Sequence, residues 1–362
     1  MNRIGNSFIP KLKVLSPAQL VFRRETLASP VWLHQAGLVQ SAVALSPTNI
    51  FAPQATPAHA IFGVSMLVLG ITTSIFLVVA GLLLFVLIRF RHRASGADAA
   101  QEPAQIYGST QIELSWTVIP VLIVVVLFLA TARVIFSTEQ AAKPGDAVDV
   151  TVIGHQFWWE YRYPKLGIVT ANELHIPVSD PQHPTPAYLT MSSADTDHSF
   201  WVPRLAGKMD LIPNKVNVMW MDPQTPGLYL GQCAQYCGAQ HAKMLIRVYA
   251  DTPADFAAWA AHQRMPAVAD QAAAAGRAVF EHNACISCHT VAGTAATGRF
   301  GPDLTHLASR DTIASGAVPN TPTNIRTFVD NPGHFKPGVL MPQMHLNDHD
   351  LDLVTAYLSS LK

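Results

Sequence analysis

The sequence from Gly231 to Met244, GQCAQYCGAQHAKM, concentrates metal-ligating side chains in one short stretch. Cys233 and Cys237 lie four residues apart, and a histidine and a methionine follow Cys237 after four and seven residues. Thiolate and thioether sulfur together favour copper over magnesium or calcium. A mononuclear blue-copper site uses a single cysteine. The second cysteine therefore indicates two copper ions bridged by two thiolates, on a loop between β-strands.

A dinuclear copper site needs a second imidazole, and the segment DHSFWVP offers His198. The main alternative is a closed tetrahedral zinc site, with the ligands His198, Cys233, Cys237 and His241. That set leaves Met244 without a role. A disulfide between the two cysteines of the loop is a further alternative, because disulfides persist in external compartments.

Two charge-free runs precede this loop, at 61–88 and 114–132. Each is close to the roughly 20 residues that an α-helix needs to cross a bilayer. Two buried helices of a soluble core are the alternative, but 28 uncharged residues in a row are unusual there. The intervening loop begins with Arg89, Arg91 and Arg93, and the positive-inside rule places such a loop in the cytoplasm. The sequence predicts a transmembrane hairpin over 58–137.

The composition agrees with a membrane protein. Only 13 % of the 362 residues are charged, against about 25 % in soluble domains. The net charge of zero provides no field to gather phosphates, which argues against nucleic-acid binding. Residues 1–57 begin basic and become mildly apolar. We interpret them as an N-terminal extension or as a secretory signal, with a small-residue cleavage site at Ala42-Val43-Ala44.

The segment from 144 to 250 has the pattern of β-strands. Residues 147–153 and 244–249 are β-branched or alternate between apolar and polar, and turn-forming proline and glycine occur throughout the residues between them. These features predict an all-β sandwich or barrel. From Thr252 onward alanine becomes frequent, which indicates a linker over 251–268 with a helical stretch around Phe256 and Trp259.

A small helical domain is predicted over 269–362, and it begins with the motif CISCH. The C-x-x-C-H pattern is typical of covalent haem c attachment, in which Cys285 and Cys288 take the two vinyl groups and His289 binds the iron. A zinc or thioredoxin-like site is the alternative. It gives the histidine that directly follows the second cysteine no role.

The sixth haem ligand is predicted to be Met341, which lies 52 residues after His289, and Met344 is the competitor. Small cytochrome c domains typically carry Gly-Pro-x-Leu, then Met-Pro, then a final helix. This chain has the first motif at 301–304, the second at Met341, and a helical pattern at 351–361. The order of these elements selects Met341. Ligation by methionine and histidine raises the potential of a haem into the range used for electron transfer.

Taken together, the hairpin, the strand GHQFWW at 154–159, the His198 segment and the cysteine loop resemble subunit II of haem-copper cytochrome c oxidases over roughly residues 50–250. The resemblance implies a cupredoxin-like β-sandwich that holds the dinuclear CuA centre. It also implies that His198 and Met244 bind one copper, that His241 and the carbonyl of Gln235 bind the other, and that both sulfurs bridge. With its cytochrome c domain, the whole chain is similar to the fused subunit II of caa3-type oxidases.

The resemblance implies that electrons pass from a cytochrome donor through haem c and CuA to subunit I, which reduces oxygen. The chain then performs no bond chemistry itself and serves a proton-translocating cytochrome c oxidase. The implied partners are subunits I and III, the bilayer, and a cytochrome c or bc1-type donor. The implied place is the bacterial inner membrane, with both redox domains on the periplasmic side. A nitric oxide reductase subunit, a copper carrier and a structural membrane anchor are the alternatives.

Three positions need separate comment. The family usually has glutamate where Gln235 stands; the carbonyl ligand survives this change, but a magnesium ligand is put in doubt. The family's electron-accepting tryptophan aligns with Phe157, beside Trp158 and Trp159, and packing in the strand core is the alternative role for all three rings. Glu113 aligns with a carboxylate at the cytoplasmic mouth of a proton channel, although the helix dipole alone also favours an acidic residue there.

Overall fold

The computed structural model describes residues 48–91, 105, 107–139, 143–180, 185–267 and 271–362. The predicted cleavage site at 42–44 and Arg93 of the predicted cytoplasmic loop lie outside the described residues. The described residues form two long apolar helices, a β-sandwich of two sheets and a small helical C-terminal domain. The predicted fold class is therefore confirmed.

Helices α1 (Thr56–Arg89) and α2 (Thr110–Glu139) form the hairpin. Both are long and apolar enough to cross a membrane, with a mean hydropathy of 2.8 in their most apolar windows. Large apolar side chains such as Phe85 and Leu129 point outward and are exposed in the isolated chain. Such an outward-facing apolar surface is what a bilayer would cover.

Ten strands form the β-sandwich: β1 (Val148–His155), β2 (Trp158–Tyr163), β3 (Ile168–Ala171), β4 (Glu173–Pro177), β5 (Ala187–Ser193), β6 (His198–Trp201), β7 (Met209–Leu211), β8 (Asn217–Met221), β9 (Gly227–Cys233) and β10 (Leu245–Asp251). One sheet has the order β3-β2-β1-β5-β8 and the other β4-β10-β9-β6-β7. The pairs β1–β5 and β4–β10 are parallel, and the other neighbours are antiparallel. The core between the sheets is built from alternate residues such as Trp159, Tyr161 and Tyr163 of β2, all fully buried.

Strand β8 fixes the outer ends of both long helices to the sandwich. The carboxylate of Asp222, just after β8, accepts hydrogen bonds from the amide of Thr56 at 2.7 Å and from its hydroxyl at 2.5 Å. This contact satisfies an amide at the start of α1 that has no partner within the helix. The indole of Trp220 donates to the carbonyl of Thr138 at 2.7 Å, near the end of α2. Arg89 at the end of α1 and Thr110 at the start of α2 therefore lie at the ends away from the sandwich.

Part of the predicted linker folds as helix α3 (Pro253–Gln263). The helix begins at Thr252, whose side chain accepts a hydrogen bond from an amide of the first turn. The ring of Trp259 stacks on His175 with 4.6 Å between centroids and meets Tyr163 edge-on at 5.2 Å. These contacts bury one face of α3 against the sandwich, so this segment is a packed element and not a free tether.

The C-terminal domain contains α4 (Ala274–His282), α5 (Cys285–Cys288), β11 (Thr312–Ile313), β12 (Val318–Pro319), α6 (Pro322–Asp330), α7 (Pro332–Phe335) and α8 (Asp348–Ser360). The final helix begins three residues before the predicted start, because Asn347 caps it by accepting a hydrogen bond from the amide of Asp350 at 2.9 Å. Helices α4 and α8 cross at Gly276, where an added Cβ would lie 2.0 Å from the carbonyl oxygen of Leu353.

We expect Gly276→Ala to destabilise the C-terminal domain by about 1–3 kcal/mol, because the methyl group would force two helix backbones apart. Thermal unfolding should show a lower midpoint for this domain. Gly145→Ala is the control, since no atom lies within 4 Å of the Cβ it would add. Equal midpoints for the Gly276 variant and the parent would contradict a close crossing at this residue.

Candidate metal centres

The predicted copper ligands lie at the junction of β9 and β10, in a segment that we call the ligand loop (Cys233–Met244). The amide of Cys233 donates to the carbonyl of Met244 at 2.9 Å and ties the two ends of the loop together. A short 3-10 helix at His241–Lys243 completes the loop before β10 begins. The first and last ligands of the loop are thus held side by side by the backbone.

The structure brings the predicted side-chain ligands together. The two Sγ atoms of Cys233 and Cys237 are 4.0 Å apart. The Nδ1 atom of His198 lies 3.9 Å from Cys233 Sγ, and that of His241 lies 3.8 Å from Cys237 Sγ. The Sδ atom of Met244 lies 3.9 Å from Cys237 Sγ. All these donor atoms therefore surround the pair of sulfurs.

The donor set fits metal ions better than a disulfide. A sulfur separation of 4.0 Å is far longer than the roughly 2.05 Å of a disulfide bond, and both cysteines are free. Metal–sulfur and metal–nitrogen bonds of about 2.0–2.3 Å allow donors at these separations to share ions. Met244 is fully buried with its sulfur beside Cys237. The thioether thus belongs to the cluster, which favours copper over a closed zinc site.

Gln235 contributes its backbone to the cluster. Its carbonyl oxygen lies 3.2 Å from Cys233 Sγ, whereas the residue as a whole is exposed. The carbonyl therefore has the position that a backbone ligand requires. The substitution of glutamine for the family's glutamate changes only the outward-facing part of this residue.

His198 is oriented by two features that the sequence analysis missed. Its ring packs on β1 at Gly154, where an added Cβ would lie 2.8 Å from ring atom Cδ2. Its Nε2 donates to the carboxylate of Asp195 at 2.8 Å, which leaves Nδ1 free to face the sulfurs. An acidic residue three positions before the predicted ligand was the available signal. The packing of one sheet on the other brings the glycine close, and no local pattern reveals that.

The electrostatics of the cluster favour binding of a cation. Burial opposes ionisation of Asp195, but hydrogen bonds from His198 and from two backbone amides outweigh it and lower the pKa of Asp195. The hydrogen bond from the Cys237 thiol lowers the pKa of Cys233, and the same contact, together with burial, raises the pKa of Cys237. A bound cation would compete with protons for these thiols, because metal ligands must be deprotonated.

The CISCH motif forms α5 and places both thiols on the wall of a largely apolar cavity. The Nδ1 atom of His289 donates to the carbonyl of Pro302 at 2.8 Å, which leaves Nε2 free for iron. An added Cβ at Gly301 would lie 2.6 Å from the same ring. Burial lowers the pKa of His289 and keeps the imidazole neutral, as a ligand must be. The Gly-Pro pair thus seats the proximal histidine.

The cavity has the residues that a haem c requires. Apolar side chains dominate its walls, among them Phe280, Phe300, Leu304, Phe328, Val354 and Leu358. Met341 and Met344 both line it, so the geometry leaves the choice between them to experiment. Burial raises the pKa of Cys285, which is consistent with a thiol meant for covalent attachment in an apolar environment.

The β-sandwich supplies one wall of the same cavity. Phe157, in the turn between β1 and β2, and Trp158, the first residue of β2, both line it. The ring of Trp158 stacks on His155 with 4.1 Å between centroids. Trp159 instead lies in the sandwich core, fully buried and edge-on to Phe200 at 5.6 Å. Only the first two of the three consecutive rings therefore face the cavity.

Glu113 lies far from both clusters, in the first turn of α2. Thr138, which contacts the sandwich, is 25 residues further along the same helix, a distance of about 37 Å at 1.5 Å per residue. The carboxylate therefore lies at the opposite end of the hairpin from the metal centres. Its role in proton uptake stays a prediction.

Three family models match the chain. "Cytochrome C oxidase subunit II, transmembrane domain" matches residues 46–134, and "Cytochrome C oxidase subunit II, periplasmic domain" matches residues 181–250. "Cytochrome c" matches residues 273–362. The matches follow the three structural parts in chain order.

Individual proteins are similar over most of the chain. Cytochrome c oxidase subunit 2 of Alkalihalophilus pseudofirmus is 33 % identical over 319 residues, which cover 86 % of this chain and 90 % of that protein. The same subunit of Bacillus sp. strain PS3 is 32 % identical, covering 72 % and 77 %. A solved structure, the periplasmic domain of cytochrome oxidase subunit II (CoxB) of Bradyrhizobium japonicum, is 25 % identical with a TM-score of 0.32, covering 34 % of this chain and 97 % of that one.

We expect Asp195→Asn to weaken metal binding at the ligand loop by about 10–100-fold, because His198 loses the carboxylate that fixes its orientation. Competition with a copper chelator measures the change. Asp197→Asn is the matched control, since that exposed carboxylate is two residues away and outside the cluster. An affinity in the Asp195 variant equal to that of the control would show that the carboxylate does not orient the ligand.

We expect Met341→Leu to keep the covalent haem but to lose the methionine-ligated low-spin spectrum, since Cys285, Cys288 and His289 are untouched. The haem potential should fall, because a thioether ligand raises it. Met344→Leu is the matched control and should keep both the spectrum and the potential. The reverse pattern would assign the sixth ligand to Met344.

Proposed function

Since the chain belongs to the cytochrome c oxidase subunit 2 family and carries a fused cytochrome c domain, we propose that it is the electron-input subunit of a caa3-type cytochrome c oxidase. The predicted cofactors, dinuclear copper and haem c, are confirmed by these families and by the cluster of His198, Cys233 and Cys237. When bound, these groups supply one-electron transfer from a cytochrome donor toward subunit I, where oxygen is reduced.

The proposal assigns each group its protein ligands. The copper ions would be held by His198, Cys233, the carbonyl of Gln235, Cys237, His241 and Met244. The haem would be held by Cys285, Cys288, His289 and Met341. One histidine of each site donates a hydrogen bond that supports its ring. His198 of the copper site donates to Asp195, and His289 of the haem site donates to the carbonyl of Pro302. These contacts keep the imidazoles in one orientation, so that a change of redox state requires little movement.

One observation supports electron transfer within the chain: the turn between β1 and β2 contacts both the haem cavity and the ligand loop. Phe157 lines the haem cavity, and its ring packs against Gly238 of the ligand loop, with 3.0 Å from a ring carbon to the position of an added Cβ. The neighbouring Gln156 donates from Nε2 to the carbonyl of Cys237 at 2.6 Å. One short turn therefore contacts both the haem cavity and a bridging cysteine, and such packed and hydrogen-bonded contacts favour electron transfer.

The proposed surroundings follow from the topology. The protein is membrane-anchored, with the sandwich and the C-terminal domain outside the membrane. We place it in a bacterial inner membrane with these domains on the periplasmic side. Subunits I and III would pack against the hairpin, and a cytochrome c or bc1-type complex would donate electrons. Glu113, at the inner end of α2, would take up protons for subunit I.

We expect Cys233→Ser and Cys237→Ser each to abolish the mixed-valence copper spectrum and nearly all oxygen uptake of the purified complex, because a hydroxyl cannot replace a bridging thiolate. The haem should still be reduced by the donor. Ser199→Ala is the control, since this buried hydroxyl next to His198 has no hydrogen-bond partner within the described residues.

Three outcomes would contradict the proposal. Retention of two copper ions and of normal turnover in either cysteine variant would exclude a bridging role. Turnover of nitric oxide with no oxygen uptake by the parent complex would assign the chain to a nitric oxide reductase. Transfer of copper to a partner protein without electron flow would make it a carrier.

A further inference from the structure

Much of the contact between the C-terminal domain and the β-sandwich lies along one stretch of the sandwich, from Ala239 to Tyr249, which we call the docking segment. The contacts reach two parts of the C-terminal domain, residues 311–316 and 335–338. Each part has a further contact through a buried ionisable side chain, Glu173 of the sandwich at the first part and Lys336 of the C-terminal domain at the second.

Lys336 forms the contact nearest the two redox sites. It is 2 % exposed, lines the haem cavity, and donates from Nζ to the carbonyl of Phe157 at 2.5 Å. The residues on either side accept hydrogen bonds from the ligand loop: the carbonyl of Phe335 from Lys243 at 2.9 Å, and that of Pro337 from Gln240 at 2.5 Å. Three consecutive residues of the C-terminal domain are therefore bonded to the sandwich.

Glu173 forms the contact at the other end. It begins β4, is 4 % exposed, and accepts hydrogen bonds from the amide and hydroxyl of Thr312 at 3.0 and 2.8 Å and from the amide of Asp311 at 3.2 Å. Tyr249 of β10 donates to the carboxylate of Asp311 at 2.5 Å. A carboxylate of the sandwich thus satisfies three donors of the other domain.

Between these ends, the C-terminal domain bonds to the start of β10. The β4–β10 pairing begins at Arg247, so the earlier residues of β10 have no partner in β4. The amide of Leu245 instead donates to the carbonyl of Ser315 at 3.2 Å. With hydrogen bonds in the middle and at both ends of the docking segment, rotation about any one contact would break the others.

The connection between the domains is also held. Helix α3 packs on the sandwich through Trp259. Just after α3, the carbonyl of Met265 lies 3.0 Å from His306 Nε2 of the C-terminal domain, and the rings of His262 and His306 have centroids 4.6 Å apart. A chain anchored at both ends cannot act as a flexible linker that lets a domain swing.

We propose that Glu173 and Lys336 are positioning residues that lock the C-terminal domain onto the β-sandwich, so that electrons cross between the two sites in one fixed geometry. The inference rests on the proposed function, since it concerns how the two redox sites are held. Buried polar groups with specific hydrogen-bond partners favour one arrangement over others, because a shifted arrangement breaks those hydrogen bonds. A shift would leave Glu173 only its ion pair with Arg247, at 3.8 Å. The alternative is a mobile domain that delivers electrons by repeated encounters.

The test uses the full chain in its purified complex, with copper and haem bound. In Glu173→Ala, three buried donors lose their acceptor, so the ratio of docked to undocked domain should fall about 10–100-fold. Hydrogen exchange at the Leu245 amide should accelerate by the same factor, because this amide is covered by Ser315 and does not touch Glu173. Amides within β1 should not change.

Three further variants make the exchange experiment specific. Glu173→Gln keeps one acceptor oxygen and should accelerate exchange less than Glu173→Ala does. Lys336→Met leaves the carbonyl of Phe157 without its donor, and we expect exchange at Leu245 to accelerate about tenfold. Glu281→Ala, which removes a carboxylate paired with Arg277 within α4, is the matched control and should leave exchange unchanged.

Electron transfer gives the second readout. After flash photoreduction, the rate between the haem and copper sites should be independent of solvent viscosity in the parent and should become viscosity-dependent in Glu173→Ala. A merely local structural role would not produce that dependence. Viscosity dependence in the parent, or slow Leu245 exchange in all variants, would overturn the locked domain while leaving the proposed function intact. A parent with no electron transfer between the sites would instead contradict the proposed function, and the exchange data would still decide whether the domain is docked.

Discussion

The hydrogen bond between the amide of Cys233 and the carbonyl of Met244 is the constraint on which the metal centre depends. It closes the ligand loop across the ends of β9 and β10, which are already paired as antiparallel neighbours. Because the sheet fixes both ends, a short loop can present two thiols, an imidazole and a thioether to one another. Strand β6 pairs with β9 at Phe200 and Cys233, which brings His198 to the same edge. The pairing of β6, β9 and β10 in the sandwich thus fixes the relative positions of the ligands.

The haem cavity also uses the β-sandwich as part of its wall. The turn between β1 and β2 lies under the ligand loop and forms a wall of the haem cavity, so the two redox sites share protein rather than merely face each other. The contacts that hold this arrangement join residues that are distant in sequence. Glu173 and Thr312 are 139 residues apart, and Phe157 and Lys336 are 179 apart. Contacts of this range form only after both domains have folded.

The sequence was sufficient to predict the features that depend only on residues close together in the chain. Cysteine spacing, the C-x-x-C-H motif and two charge-free runs predicted the fold class and both cofactors, because each feature needs neighbouring residues only. Asp195 and Gly154 were missed, since their importance arises where β1 and β6 meet. The segment interpreted as a linker is largely a helix, because Trp259 finds His175 and Tyr163 on a strand surface that no local pattern reveals. The cavity does not distinguish Met341 from Met344, since both line it, so the choice of Met341 stays a prediction from the order of the sequence motifs.

The locked domain also accounts for the unusual ring at position 157. The resemblance described above aligns this position with the family's electron-accepting tryptophan. Here Phe157 is 4 % exposed, its carbonyl is bonded to Lys336, and its ring packs on the ligand loop. No external protein can reach that ring while the C-terminal domain is docked. A covered position is under packing constraints rather than binding constraints, and phenylalanine satisfies packing without an indole N–H that would need a partner. Under the proposed function, the surface open to an external donor would then lie on the C-terminal domain, and electrons would enter at the haem and not at the sandwich.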